Sequence, residues 1–102
     1  MEVHTRTFAT PGGMVEGVQV KWQSFSILLV CGSKGFLGCG VFDVDAIDSF
    51  GQAACLVEST PQNPIGTLER FPHRKITRVN TKARALGIVE GMDVAQAFEK
   101  IA

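Results

Sequence analysis

The sequence lacks the features that mark secreted, membrane-embedded or metal-stapled proteins. It contains three cysteines in 102 residues and no CxxC pair, so we expect neither a disulfide framework nor a metal site. The longest apolar runs, residues 27–31 and 53–57, are far shorter than the roughly twenty residues of a membrane span. The N-terminus carries an early acid and no apolar stretch, which is atypical of a secretory signal. We therefore expect a soluble, cytoplasmic protein with no membrane partner.

An excess of charge is also missing. Ten Lys and Arg residues balance ten Asp and Glu residues, so the whole chain has no field of the kind that attracts nucleic acid. A hydrophobic fraction of 45% is too high for a disordered chain. Length and composition predict one domain over residues 1–102, with a strand-rich oligomerisation region at 1–22 and an α/β core at 23–102.

The pattern of β-forming residues, turns and caps predicts an α+β fold. Residues 1–22 indicate two strands around a turn, and residues 24–42 a hairpin turning at Ser33 and Lys34, with Leu28 opposite Cys39. Asp43 is a good N-cap for a helix over 44–50, and a strand at 53–58 would follow it. A helical turn at 65–71 should stop before Pro72, and a short strand is expected over 75–79. Further caps predict two C-terminal helices, so the fold is an antiparallel N-terminal sheet with a strand-helix-strand unit and a C-terminal helix pair.

The hairpin over residues 24–42 is apolar on both faces. The predicted helices are few and look able to cover only one of those faces. The other face could be covered by strands 1–22 folding back over it, or by a second copy of the chain. We expect the second copy, because homo-oligomers commonly cover such surfaces.

Cys39 is the sharpest candidate for chemistry. It lies between Gly38 and Gly40, which leave room for a ligand or another backbone to approach closely, and Asp43 is the only carboxylate nearby in sequence. Cys39 and Asp43 are therefore candidate catalytic residues of a thiol-dependent enzyme. The alternatives are that Cys39 is a small core residue or lines a ligand site, and that Asp43 is only a helix cap.

A second candidate is the basic segment, defined as residues 70–84, which has no acid. Six of its residues are cationic: Arg70, Arg74, Lys75, Arg78, Lys82 and Arg84. Because Asn80 or Thr81 should start a helix there, the segment suits a small anion better than an extended nucleic acid. Arg74, Arg78 and Lys82, together with Gly38 and Gly40, are the candidate ligand-binding residues. The alternative is an exposed strand edge guarded by Lys and Arg.

The glycines near Cys39 fit neither a phosphate loop nor a dinucleotide fingerprint, so we expect no cofactor. Two stretches, residues 35–44 (GFLGCGVFDV) and 83–92 (ARALGIVEGM), resemble the YunC-like family of small bacterial and archaeal proteins, a domain of unknown function. The resemblance implies a β-rich N-terminal region that mediates tetramer formation, and it implies no catalytic residue.

The sequence thus predicts a homo-oligomeric binding or regulatory module for a small anionic ligand. A thiol enzyme using Cys39 is the alternative, and RNA binding through the basic segment is a weaker one.

Overall fold

The chain forms one mixed sheet whose six strands lie in sequence order. The computed structural model describes residues 1–102. Its elements are β1 (Glu2–Thr10), β2 (Gly13–Trp22), β3 (Phe25–Cys31), β4 (Gly35–Gly38), α1 (Val44–Ser49), β5 (Ala53–Val57), a 3-10 helix (Leu68–His73), β6 (Ile76–Val79), α2 (Thr81–Ala85) and α3 (Val94–Ile101). Neighbouring strands are antiparallel except β4 and β5, which are parallel and joined through α1. The predicted α+β class is therefore confirmed.

The turn at Ser33 and Lys34 sets the register that the sequence predicted. Val30 lies opposite Leu37, and the amide of Cys39 donates to the Leu28 carbonyl at 3.0 Å. β4 ends at Gly38, however, short of the predicted strand end at Phe42. The chain turns back there, and the ring of Phe42 packs edge-on against Phe36, with the ring centroids 5.3 Å apart.

Alternation along the strands separates an inner face from an outer face. The inner face is buried under the 3-10 helix and α3, in a core that includes Val15, Leu37, Cys55, Phe71 and Phe98. α1 packs on β5 at the other side, where Val44 and Ala54 are buried apart from that core. The outer-facing residues of β1 to β3 have no helix over them, because these strands lie at the end of the sheet away from β5, on which α1 packs.

A second local prediction is also wrong. The helical turn expected over residues 65–71 is a 3-10 helix over Leu68–His73, and Pro72 lies inside it. The turn tolerates Pro72 because a short 3-10 helix bonds few of its amides, so the N–H that proline lacks is not required. No helix in the structure has the length and apolar character needed to cross a membrane.

The two glycines beside Cys39 differ in their surroundings. A Cβ built on Gly38 would lie 2.4 Å from the ring of Phe42, whereas a Cβ on Gly40 would meet nothing within 4 Å. The ring can pack over β4 only because Gly38 has no side chain.

We therefore expect Gly38→Ala to lower the free energy of unfolding by about 1–3 kcal/mol, the usual cost of overpacking. Gly40→Ala is the matched control and should change it by less than about 0.5 kcal/mol. Urea denaturation of both variants measures the difference. Equal effects at the two positions would contradict this account of Gly38.

Candidate functional site

Cys39 leaves the end of β4 and points into the core. Its side chain belongs to the inner-face cluster and only 6% of the residue is exposed. Its backbone is held on both sides, since its N–H donates to Leu28 and its carbonyl accepts from the Phe42 N–H at 3.4 Å. The structure thus places Cys39 as a packed residue at the junction of β4 and the loop before α1.

Asp43 is the N-cap of α1. Its Oδ1 accepts hydrogen bonds from the amides of Asp45 and Ala46, each at 3.1 Å. This arrangement satisfies two of the free N–H groups at the start of the helix. The carboxylate makes no hydrogen bond to Cys39.

The other two cysteines form a thiolate less readily than a free cysteine in water does. Burial raises the pKa of Cys55 to about 12, with a smaller contribution from Glu90. Burial and the charge of Glu16 raise the pKa of Cys31, which lies half-buried on the outer face of β3. Both shifts favour the protonated thiol, which is the weaker nucleophile.

Arg74 is turned inward, although the sequence offered it as a ligand-binding residue. Only 8% of it is exposed. Its guanidinium donates to the backbone carbonyls of Asn63 and Pro64, at 2.7 and 2.8 Å, and to Oδ1 of Asn63 at 3.2 Å. Arg74 therefore holds the loop at residues 63–64 against the 3-10 helix.

Three further cations of the basic segment contact carboxylates of the same chain. Arg78 pairs with Asp45 of α1, Lys75 pairs with Asp93 at 2.5 Å, and Arg84 pairs with Glu90 at 2.9 Å. The hydrogen bond from Lys75 to Asp93 raises the pKa of the lysine. The acids that neutralise this segment lie outside it in sequence, which is why the sequence showed it as purely basic.

The first turn of α2 already holds a carboxylate. Asp48 of α1 accepts hydrogen bonds from the hydroxyl of Thr81 and from the amide of Lys82, the latter at 3.1 Å. The hydroxyl of Thr81 is the main cause of the lowered pKa of Asp48. The sequence predicted a small anionic ligand at this helix start, and in the structure the carboxylate of Asp48 lies there.

Asn80 is the most heavily bonded polar side chain, and only 3% of it is exposed. Its Oδ1 caps α2 by accepting from Ala83 at 2.9 Å and also accepts from Ala54 of β5 at 3.2 Å. Its Nδ2 donates to the carbonyls of Val44 and Gln52, both at 2.9 Å. This one side chain therefore connects the start of α2 to β5 and to both ends of the α1 crossover. From the sequence, only its role as a helix cap was predicted.

The predicted site residues fall into separate groups. One group, Gly38, Cys39 and Gly40, lies where β4 meets the loop before α1. Arg74 binds the loop at 63–64, and Arg78 lies on the side of the sheet that carries α1. No hydrogen bond or ion pair joins Cys39 to the basic segment. No three His, Cys, Asp or Glu side chains are grouped as a metal would require.

These features define a small α+β domain with a parallel crossover and a glycine-flanked cysteine. The chain belongs to the family described as Domain of unknown function (DUF1805), whose model matches residues 38–101. Its fold is similar to the crystal structure of a protein of unknown function, TA1206 from Thermoplasma acidophilum, with a TM-score of 0.84 and 19% sequence identity. The alignment covers 99% of this chain and 94% of that one, and at this identity it shows the fold alone. No curated protein matches the chain.

The lowered pKa of Asp48 predicts how the stability depends on pH. The ionised carboxylate is favoured in the folded state, so its contribution is present above the unfolded pKa of about 3.9 and is lost as the pH falls through the folded pKa. Asp48→Asn should therefore lower the Tm near about pH 6, and the difference from wild type should shrink towards about pH 3. Thermal unfolding followed by circular dichroism measures this, with Asp45→Asn on the same helix for comparison. A difference that does not change with pH would contradict the assignment.

Proposed function

We propose that the protein acts as a homo-oligomeric binding module in which a second copy covers the open part of the sheet. The observation that carries the proposal is the outer apolar face, which has no helix over it. Seven apolar side chains from three adjacent strands form it: Val3, Val18, Val20, Trp22, Phe25, Ile27 and Leu29.

Strand register places these side chains together. Val20 lies opposite both Val3 of β1 and Ile27 of β3, and Val18 lies opposite Leu29. At the end of the face the rings of Trp22 and Phe25 meet edge to face, with their centroids 5.4 Å apart. The patch is therefore continuous across three strands.

The exposure of this face is unusual for a surface that meets only water. Val3, Phe25 and Trp22 are 61%, 47% and 37% exposed, and the other four side chains of the face are half-buried. A contiguous apolar patch of this kind marks an interaction surface, and a patch that can pair with its own copy is commonly closed by two-fold symmetry. The narrower YunC-like resemblance supports the same conclusion, since it implies a tetramer built through the N-terminal strands.

Phe25→Lys should reduce the assembly to a smaller species, because it places a charge in the apolar contact. Val41→Lys is the matched control: Val41 is 50% exposed, close to the exposure of Phe25, but lies in the loop before α1, outside the face. Size-exclusion chromatography with light scattering gives the masses of wild type and both variants. A monomeric wild type at micromolar concentration, or equal masses for wild type and Phe25→Lys, would overturn the proposal.

A small anionic ligand is the second candidate partner of this module. Its support is that Lys82, at the first turn of α2, and Arg70 have no carboxylate partner, unlike Lys75, Arg78 and Arg84. An anion at Lys82 would compete with Asp48 for the same helix start. The candidate therefore requires a ligand that binds more strongly there than an internal carboxylate.

Inorganic phosphate should then raise the Tm of the wild type by several degrees at concentrations well above its Kd. The double variant Arg78→Ala with Lys82→Ala should lose most of that shift, while Lys21→Ala with Lys34→Ala, which removes the same charge from exposed lysines outside the basic segment, should keep it. Differential scanning fluorimetry measures the three proteins. A shift that the double variant retains would exclude this site.

The remaining two candidates have less support. A thiol-dependent reaction rests on Cys39, which is buried and has no base in hydrogen-bond contact. RNA binding rests on the basic segment, in which Arg74, Lys75, Arg78 and Arg84 already have partners in the chain.

A further inference from the structure

β1 is a long edge strand with nothing beside it. It pairs only with β2, through nine consecutive residue pairs without a bulge. It contains neither proline nor lysine, two of the residues with which natural sheets protect their edges. The strand is therefore a template for pairing with another extended chain.

The register identifies the backbone groups that are free. Thr10 lies opposite Gly13 across a two-residue turn, so these two residues form a hydrogen-bonded pair. Bonded and non-bonded pairs alternate along antiparallel strands, so the even residues of β1 bond to β2. The N–H and C=O groups of Val3, Thr5, Thr7 and Ala9 consequently point to the open edge. The pair Trp22 and Phe25, which closes the next two-residue turn, follows the same alternation.

The charges along β1 indicate which strand pairs with its open edge and in which register. Glu2, His4 and Arg6 alternate on one face of the strand. If two copies of β1 pair antiparallel about a two-fold axis at His4, each Glu2 lies opposite the other copy's Arg6. An axis at Thr5 would set His4 opposite Arg6, and an axis at Arg6 would set two guanidinium groups opposite each other. An axis at Val3 would set Glu2 opposite the imidazole of His4. Only the His4 register pairs a carboxylate with a guanidinium on both sides of the axis.

From this pattern we infer that β1 pairs antiparallel with β1 of a second copy, with His4 at the two-fold axis. Val3 and Thr5 of each copy then exchange backbone hydrogen bonds. The two sheets become one continuous sheet. In the isolated chain Glu2 contacts His4 and Arg6 contacts Glu69, each at 3.1 Å, and all four side chains are exposed enough to exchange partners.

This inference rests on the proposed self-association and deepens it. The edge of β1 and the outer apolar face are different surfaces, so they can join different pairs of copies. A closed tetramer with three two-fold axes requires at least two such interfaces. Edge pairing would make the dimer, and contact between outer apolar faces would join two dimers.

A scan of single cysteines tests the register. In a two-fold antiparallel pair, only the residue on the axis faces its own copy, at a Cα separation of about 4.5–5.5 Å that suits a disulfide. The variants His4→Cys, Thr5→Cys and Arg6→Cys are made with Cys31→Ser, which removes the half-buried thiol. We expect mild oxidation to convert most of His4→Cys, and little of the other two, to a covalent dimer on non-reducing gels.

Each outcome decides the matter. Strongest cross-linking at Thr5 or Arg6 would overturn the His4 register, and absence of cross-linking at His4 would overturn the proposed pairing. Adding Phe25→Lys to His4→Cys separates the two interfaces: a cross-linked dimer should survive even if the outer apolar face makes no contact. An assembly of unchanged mass that never cross-links would support the face proposal alone.

The charge pattern can be tested independently of cysteines. Glu2→Arg should weaken the dimer at low protein concentration and low salt, because it sets two like charges opposite each other. Glu2→Arg combined with Arg6→Glu should restore it. Sedimentation velocity measures both, and failure of the double variant to recover would count against the pairing of Glu2 with Arg6.

Discussion

A sheet that carries apolar residues on both faces needs cover on both, and this constraint governs the rest of the structure. The chain places the 3-10 helix and α3 over the inner face, where residues such as Phe71 and Ile101 are fully buried. On the opposite side it has only α1, which covers β5. The N-terminal hairpin therefore keeps apolar residues on a face that the chain itself cannot bury.

Polar interactions of the crossover occupy several of the groups that the basic segment would offer to an anion. α1 is a six-residue helix, too short to be stable without tertiary contacts. Asn80, Asp45 and Asp48 fix it to β5, β6 and α2. The same bonds neutralise Arg78 and fill the start of α2. Attachment of a short helix thus uses the groups that the sequence suggested for a ligand.

The sequence was informative where structure is set locally. The two-residue turn at Ser33 and Lys34 and the cap at Asp43 depend on neighbouring residues, and both were predicted with their register and position. The partners of the Arg74 side chain and of the Lys82 backbone amide were missed, because Asn63 and Asp48 come from other parts of the chain. The strand end at Gly38 was missed for a similar reason, since it depends on where the ring of Phe42 packs. Composition and spacing carry no direct record of such contacts.

The outer apolar face and the open edge of β1 would stabilise an assembly in different ways. An apolar face gives a large but non-directional driving force, and by itself it permits several relative orientations of two copies. A strand edge gives less burial, but its hydrogen bonds fix the orientation of the two strands and its alternating charges favour one register. Because Val3 belongs to the face while its backbone belongs to the edge, pairing at the edge fixes where each outer apolar face lies. Orientation would then be set by β1, and most of the binding free energy by the side chains of β2 and β3.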